Sequence, residues 1–180
     1  MKQHINAFDY AGHICKALPS GGILLTTKLD DSVNTMTIGW GTIGVEWGRP
    51  IFIGFVREGR YTRKLLEGNP EFTINVPMGD FDRRILGYCG TKSGLDTDKF
   101  ADLGLHTEDP EVISVPGIKE LPLTLECRVV YAQTQDLDAL ARPLFDRYYP
   151  QNVDSSNPGS NRDAHIAFYG EIVASYIIEK

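Results

Sequence analysis

At 180 residues the chain is expected to form one domain over 1–180, and a chain of that length buries roughly 70% of its unfolded surface, enough for a core without staples. Its 24 acidic and 18 basic residues leave a formal charge of −6, which argues against nonspecific nucleic-acid binding and makes any phosphate site local. Cys15, Cys89 and Cys127 are odd in number and scattered, Met1–Asn6 lacks the apolar core of a signal peptide, and no run approaches a membrane span. A cytoplasmic protein with free thiols and no membrane contact is the expectation.

Strand signals dominate the chain. Gly22–Thr27 reads as a first strand, Leu29-Asp30-Asp31-Ser32 as a hairpin turn, and Val33–Gly41 as a second strand. Arg49-Pro50 announces a third, carried by Ile51–Val56. A short helix is predicted over Thr62–Glu67, stopped by Gly68 and Pro70. Glu71–Val76 alternates as a strand. Asp80–Tyr88 places Phe81, Ile85 and Tyr88 on one helical face. Thr97–Leu103 is a second short helix, with Thr97 as its N-cap and Gly104 beyond its end.

Asp109–Pro122 carries three prolines and reads as a loop. Leu123–Thr134 is a long strand with Leu125, Cys127, Val129 and Tyr131 on one face. Asp136–Tyr149 looks helical but broken near Pro143, and Pro150–Asp163 is a polar loop. His165–Ile178 is the last strand, and Tyr131, Tyr169 and Tyr176 read as mostly core. The fold class is mainly β: a closed or nearly closed antiparallel barrel with a few short helices.

Gly39-Trp40-Gly41-Thr42-Ile43-Gly44 matches G-x-G-x-x-G in letters only. A dinucleotide loop needs a helix behind it, and Val45–Pro50 has no helical period. Asn34-Thr35-Met36-Thr37-Ile38-Gly39-Trp40 is more informative. Small hydroxyls and a glycine stand where an apolar strand is expected, so a planar ligand can lie against the main chain. Thr35, Thr37 and Gly39 form a small face; Met36, Ile38 and Trp40 form a bulky one. The alternative is a half-buried strand with a solvated threonine face.

Two segments suit a phosphate. Arg57 and Gly59 precede a helix that begins near Tyr61 and Thr62, and a helix N-terminus offers unpaired N–H groups to an anion. Cys89-Gly90-Thr91-Lys92-Ser93-Gly94 combines glycines, hydroxyls and a cation, and Lys99 adds a second cation. Ordinary surface turns are the alternative for each. His165 re-enters the barrel after the polar loop as a proton donor, a cofactor contact or an idle rim histidine. Cys89 has no base or acid near it in sequence and reads as a packed thiol. His13-Ile14-Cys15 is too sparse for a metal, and no metal site is predicted.

Taken together these segments resemble the flavin reductase-like family, which has an FMN-binding split barrel, and its flavoredoxin branch in particular. The resemblance runs from about Leu18 to Tyr176. It rests on Asn34–Trp40, Val56-Arg57, Arg60-Tyr61-Thr62, Phe72–Val76, Cys89-Gly90, Ser93-Gly94, Asp98-Lys99-Phe100 and Tyr169–Val173. It implies a homodimer with FMN at the subunit interface. Thr35 to Trp40 would hold the ring; Arg57, Tyr61 and Thr62 the phosphate or ribityl chain; Ser93 and Lys99 would complete the site. The long Asp136–Asp163 segment departs from the family pattern and is expected to cover the flavin or narrow access to it.

The reading that follows is an FMN-binding oxidoreductase that takes electrons from NAD(P)H and passes them to a flavin or another acceptor. Its alternatives are an electron carrier reduced by a redox protein partner and a non-catalytic FMN-binding or sensing module.

Overall fold

The computed structural model describes residues 1–157 and 161–179. Two antiparallel hairpins begin the barrel. β2 (Ile23–Leu29) turns at Asp30 into β3 (Ser32–Ile38), and β4 (Gly41–Glu46) turns at Trp47-Gly48 into β5 (Arg49–Arg57). Asp30 adopts a left-handed φ of 51°. Trp47 and Gly48 both have positive φ, 52° and 70°, as a tight two-residue hairpin loop of the primed kind requires. The remaining long strands are β6 (Glu71–Val76), β9 (Leu123–Thr134) and β10 (His165–Ile178).

The hydrogen-bonded path runs β3-β2-β6-β9-β10-β5-β4, and every pairing in it is antiparallel. β1 (Lys2–His4) joins the far half of β10, while β7 (Thr107–Glu108) and β8 (Gly117–Ile118) form a separate two-stranded ladder. The ends of the path, β3 and β4, follow each other in the chain yet do not pair. That gap is the split of a split β-barrel.

Alternation along the strands turns Ile23, Leu25, Phe52, Val56, Phe72, Ile74, Leu123, Leu125 and Cys127 into one buried core. A buried polar row lies beside it. Thr26 Oγ1 donates to Thr35 Oγ1 at 3.0 Å, and Asn75 Nδ2 donates to Thr124 Oγ1 at 3.0 Å. Thr73 Oγ1 donates to the Pro116 carbonyl at 2.8 Å, so the loop before β9 closes over this row. A smaller apolar cluster, Leu24, Ile85, Leu86, Cys89, Leu105, Ile118 and Leu121, seats α3 (Arg84–Thr91) on the outside of the sheet.

The remaining helices are α1 (Ala11–Ala17), α2 (Tyr61–Gly68), α4 (Lys99–Leu103) and α5 (Arg142–Tyr148). Among the described residues no helix is long and apolar enough to cross a membrane.

Several expectations need correction. The second predicted strand breaks after Ile38, and Gly41–Glu46 is a strand of its own. β1 and α1 lie in a stretch whose short polar and apolar runs give no clear period. α3 begins at Arg84, four residues later than predicted. Asp98, not Thr97, caps α4, because its Oδ1 accepts the amides of Phe100 and Ala101 at 3.1 Å each. Pro143 starts α5 instead of breaking it, at a position where its missing N–H costs nothing. Tyr176 is core, but Tyr131 is 43% exposed and Tyr169 half-buried, because the β9–β10 register slips at Val130. Residues 158–160 of the predicted polar loop lie outside the described residues.

Candidate functional site

The segments singled out in the sequence converge at the split. Three side chains fasten β3 to the helices around it. Asn34 Nδ2 donates to Thr62 Oγ1 at 2.9 Å, fixing the first turn of α2. Thr37 Oγ1 donates to the Leu86 carbonyl of α3 at 2.6 Å. Lys99 Nζ donates to the carbonyls of Thr35 at 2.7 Å and Cys89 at 3.1 Å. Gly94 is required by this closeness, since a Cβ there would lie 2.1 Å from Asn34 Oδ1.

Two cavities meet along this seam. A polar one of about 90 Å³ is lined by Met36, Arg57, Arg60, Tyr61, Thr62, Cys89, Gly90, Lys92, Ser93 and Lys99, with Asn34, Gly59, Gly94, Leu95, Ser155 and Ser156. A flatter one of about 200 Å³ is lined by Met36, Thr37, Ile38, Gly39, Trp40, Phe55, Arg57, Arg60, Asn161 and His165. They share Met36, Arg57 and Arg60. A wider groove of about 710 Å³ opens beyond Tyr61, but Asp31, Asp96 and Asp98 on its walls suit an anion poorly.

The polar end is cationic and short of counter-charge. Arg57 is 3% exposed. Its Nη2 donates to the Asn157 carbonyl at 3.4 Å, while its enclosed Nε and Nη1 find no partner among the described residues. Burial lowers the Arg57 pKa, and the nearby Asp163 offsets this only in part. Arg60 is lowered by burial and by Arg57. Burial pulls Lys99 down to about 8. A buried cation left without partners is costly, and an anionic group seated among these three would satisfy it. Burial raises the Cys89 thiol to about 11, so it sits there as a packed, protonated side chain.

The flat end is aromatic. The Trp40 ring lies 4.8 Å from the His165 ring, 5.7 Å from Tyr148 and 6.2 Å from Tyr149, measured between centroids. Tyr148 ends α5 and Tyr149 follows it, so the long segment after β9 does reach this end of the cleft. Tyr149 Oη lies 2.9 Å from Gln135 Oε1 and 3.0 Å from His165 Nδ1. Burial, then Arg57 and Arg60, hold His165 down at about 4. Burial beside two cations thus favours the neutral imidazole near pH 7.

Of the residues singled out in the sequence, Thr35 and Thr91 do not line either cavity. Thr35 turns its hydroxyl into the buried polar row and gives Lys99 its carbonyl. Thr91 Oγ1 is spent on the Gly87 carbonyl at 2.9 Å, one turn back in α3. Lys99 is committed to two carbonyls, so it serves the site by charge and by holding β3 against α3. Arg60 joins the site beyond the residues expected, and the signal for it in the sequence is a second arginine three residues after Arg57. Asn34, Gly94 and Phe55 act through tertiary closeness, which no local pattern encodes.

A profile of the flavin reductase like domain matches residues 15–180. An uncharacterized protein of Archaeoglobus fulgidus is 31% identical over 97 residues, 54% of this chain and 54% of that protein. The chain thus spans about half the length of this curated relative. Flavoredoxin of Desulfovibrio vulgaris (Miyazaki F) is similar in structure, with a TM-score of 0.64 at 24% identity, over 88% of this chain and 69% of that one. Flavoredoxin from Methanosarcina acetivorans gives a TM-score of 0.60 at 25% identity, with the same coverage of 88% and 69%.

Proposed function

Because this chain belongs to the flavin reductase-like domain family, we propose that it binds FMN in the seam between β3 and the helices and works as an oxidoreductase. In this reading NAD(P)H is the electron donor and a flavin or another small acceptor receives the electrons. Bound FMN would supply the redox chemistry; the protein binds, orients and shields it.

The residues present fit that group. The observation that carries the reading is the buried Arg57 guanidinium, whose Nε and Nη1 have no partner among the described residues, beside Arg60, Lys99, the Ser93 hydroxyl and the start of α2. A phosphate monoester is the part of FMN that such a set would take. Main chain from Met36 to Trp40, with Trp40 and Phe55, offers a flat-walled space for a ring. Trp40 and the residues ending α5 would keep water from that space.

The likeness to the two flavoredoxins supports a second reading, an electron carrier reduced by a protein partner. Both readings need FMN. They part on the donor.

Titration of the ligand-free protein with FMN and with riboflavin tests the common premise. Arg57→Ala should weaken FMN binding about ten- to a hundredfold, the worth of a charge-assisted hydrogen bond, and riboflavin binding far less. Equal losses for both ligands, or no FMN binding by the parent protein, would overturn the assignment. Mixing the FMN-loaded protein with NADH or NADPH under anaerobic conditions then separates the two jobs. Bleaching of the flavin absorbance supports the reductase. Bleaching only by a reduced redox protein supports the carrier, and no bleaching by any donor leaves an FMN-binding module.

A further inference from the structure

The hydroxyl of Tyr149 has one proton and two neighbours. Gln135 Oε1 lies 2.9 Å away and accepts that proton's hydrogen bond. His165 Nδ1 lies 3.0 Å away on the same oxygen. With the phenol proton already directed at Gln135, the second contact is a hydrogen bond only if Nδ1 carries a hydrogen and donates it to the phenol oxygen. A neutral imidazole has one N–H, so Nε2 is then a bare lone pair.

The surroundings favour the same arrangement. His165 is 8% exposed and lines the flat cavity together with Arg57 and Arg60. Its Nδ1 edge is taken up by Tyr149, which leaves the Nε2 edge for the cavity. Among the described residues Nε2 has no hydrogen-bond partner, and it is not one of the sealed, unpartnered side-chain atoms, Arg57 Nε and Nη1 and Arg63 Nε. The charged groups facing the ring are the Arg57 and Arg60 guanidiniums, with Asp163 beside Arg57; Tyr149 is its titratable neighbour, and burial raises that phenol's pKa, so it stays protonated. A lone pair turned toward two cations is favoured over an N–H turned toward them.

We infer that Gln135 and Tyr149 lock His165 as its Nδ1–H tautomer, so that Nε2 stands in the flat cavity as a fixed hydrogen-bond acceptor for a ring N–H of the bound ligand. This assigns a positioning role to two residues that line neither cavity. Gln135 follows β9, and Tyr149 follows α5, in the segment that departs from the family pattern. It also gives the ring end of the cleft a polarity. A flat heterocycle that presents an N–H there is held, and one that presents only acceptors meets an unpaired lone pair. The acceptor role rests on the flavin reading; the tautomer lock does not.

The lock is read on ligand-free protein by long-range ¹H–¹⁵N NMR of the histidine rings near pH 7. The expected pattern for His165 is a protonated Nδ1 and an imine-type Nε2. Tyr149→Phe should move the pattern toward the Nε2–H tautomer. A parent protein already in the Nε2–H form, as when the Gln135 amide donates to Tyr149 instead, overturns the lock. So does a tautomer that Tyr149→Phe leaves unchanged.

The acceptor role is read by adding lumiflavin, a flavin ring without ribityl or phosphate. The His165 Nε2 resonance should shift on binding. His165→Leu should bind lumiflavin about fivefold more weakly, the scale of one neutral hydrogen bond. His165→Gln, which keeps an acceptor near the same place, should bind it within twofold of the parent protein. An unmoved Nε2 resonance, or equal losses in the two variants, overturns the acceptor role. Failure of FMN to bind the parent protein overturns the flavin reading and the acceptor role together, while the ligand-free spectrum still decides the lock.

Discussion

Lys99 is a buried ammonium whose hydrogen-bond partners are carbonyls rather than carboxylates. Its charge is therefore not cancelled within the protein, and its pKa of about 8 follows from burial first and from Arg60 to a smaller degree. The sign of the consequence is fixed. The charge is present at pH 7 and lost as pH rises through 8. A phosphate monoester is already a dianion in that range, since its second pKa is about 6. The preference for FMN over riboflavin should thus fall by roughly three- to tenfold as pH passes from 7 to well above 8, the worth of one partly screened charge. The ratio of the two affinities removes whatever the ligands share. Lys99→Met should give a lower preference with no step near pH 8. A step that survives in Lys99→Met would assign the titration to another group. At this scale residue type marks Arg57 and Lys99 but neither Arg60 nor the tasks of the three cations. Arg57, Lys99 and Ser93 stood out by residue type. That Lys99 spends itself on Thr35 and Cys89, and that Thr35 faces Thr26 instead of the site, depends on how β3 twists past α3, and side-chain type does not report that.

Secondary structure was legible where burial on one or both faces imposes a period. Glu71–Val76, Leu123–Thr134 and His165–Ile178 run as strands over the ranges their alternation indicates. β4 escaped because Gly41-Thr42-Ile43-Gly44 has little side chain with which to show a period, and because its hairpin turns on Trp47-Gly48 instead of an asparagine or aspartate pair. Helix starts lie one to six residues from where residue type places them, since capping is decided by which carboxylate or hydroxyl reaches the first amides. Asp98 is the clearest case. It caps α4, and α4 opens with Lys99. Asp98→Ala should cost about 1 kcal/mol in chemical denaturation and Asp98→Asn much less, because an amide oxygen can still accept the Phe100 and Ala101 N–H groups. Thr97→Ala should leave those two amide contacts intact, although Thr97 Oγ1 does hold the Ser93 carbonyl at 3.0 Å. Equal losses for Asp98→Ala and Asp98→Asn would show that charge at the helix start, and not the hydrogen bonds, stabilises α4.

On the whole molecule, one surface feature has no use within a single chain. Trp47, Tyr131 and Tyr169 cluster on the outside of the barrel with centroids 5.1 to 6.1 Å apart, Tyr131 edge to face with both others, and Trp47 is 57% exposed. Val45, 68% exposed, lies two residues before Trp47. The stretch Trp40–Trp47 holds both tryptophans of the chain and spans β4. The structure divides that stretch, because Trp40 packs against His165 and Tyr148 at the cleft while Trp47 faces outward. Aromatic side chains exposed in a group are the usual centre of a protein–protein contact, since they bury much area and lose little rotamer freedom. A second copy of this chain is the partner we propose for it, with the interface centred on Trp47 and Tyr131. Multi-angle light scattering at micromolar concentration should report twice the chain mass of 20.0 kDa. Trp47→Lys combined with Tyr131→Lys should report the single chain mass, because two charges on each copy would face their own images across the symmetry axis. Neither side chain reaches the cleft, so the variant should fold and keep its circular dichroism. If the dimer also shields the ring end of the cleft, FMN bound to the variant should be quenched more readily by iodide than FMN bound to the parent protein. A parent protein that is monomeric with FMN bound would remove the dimer from the account, and a variant that remains dimeric would move the interface to another face.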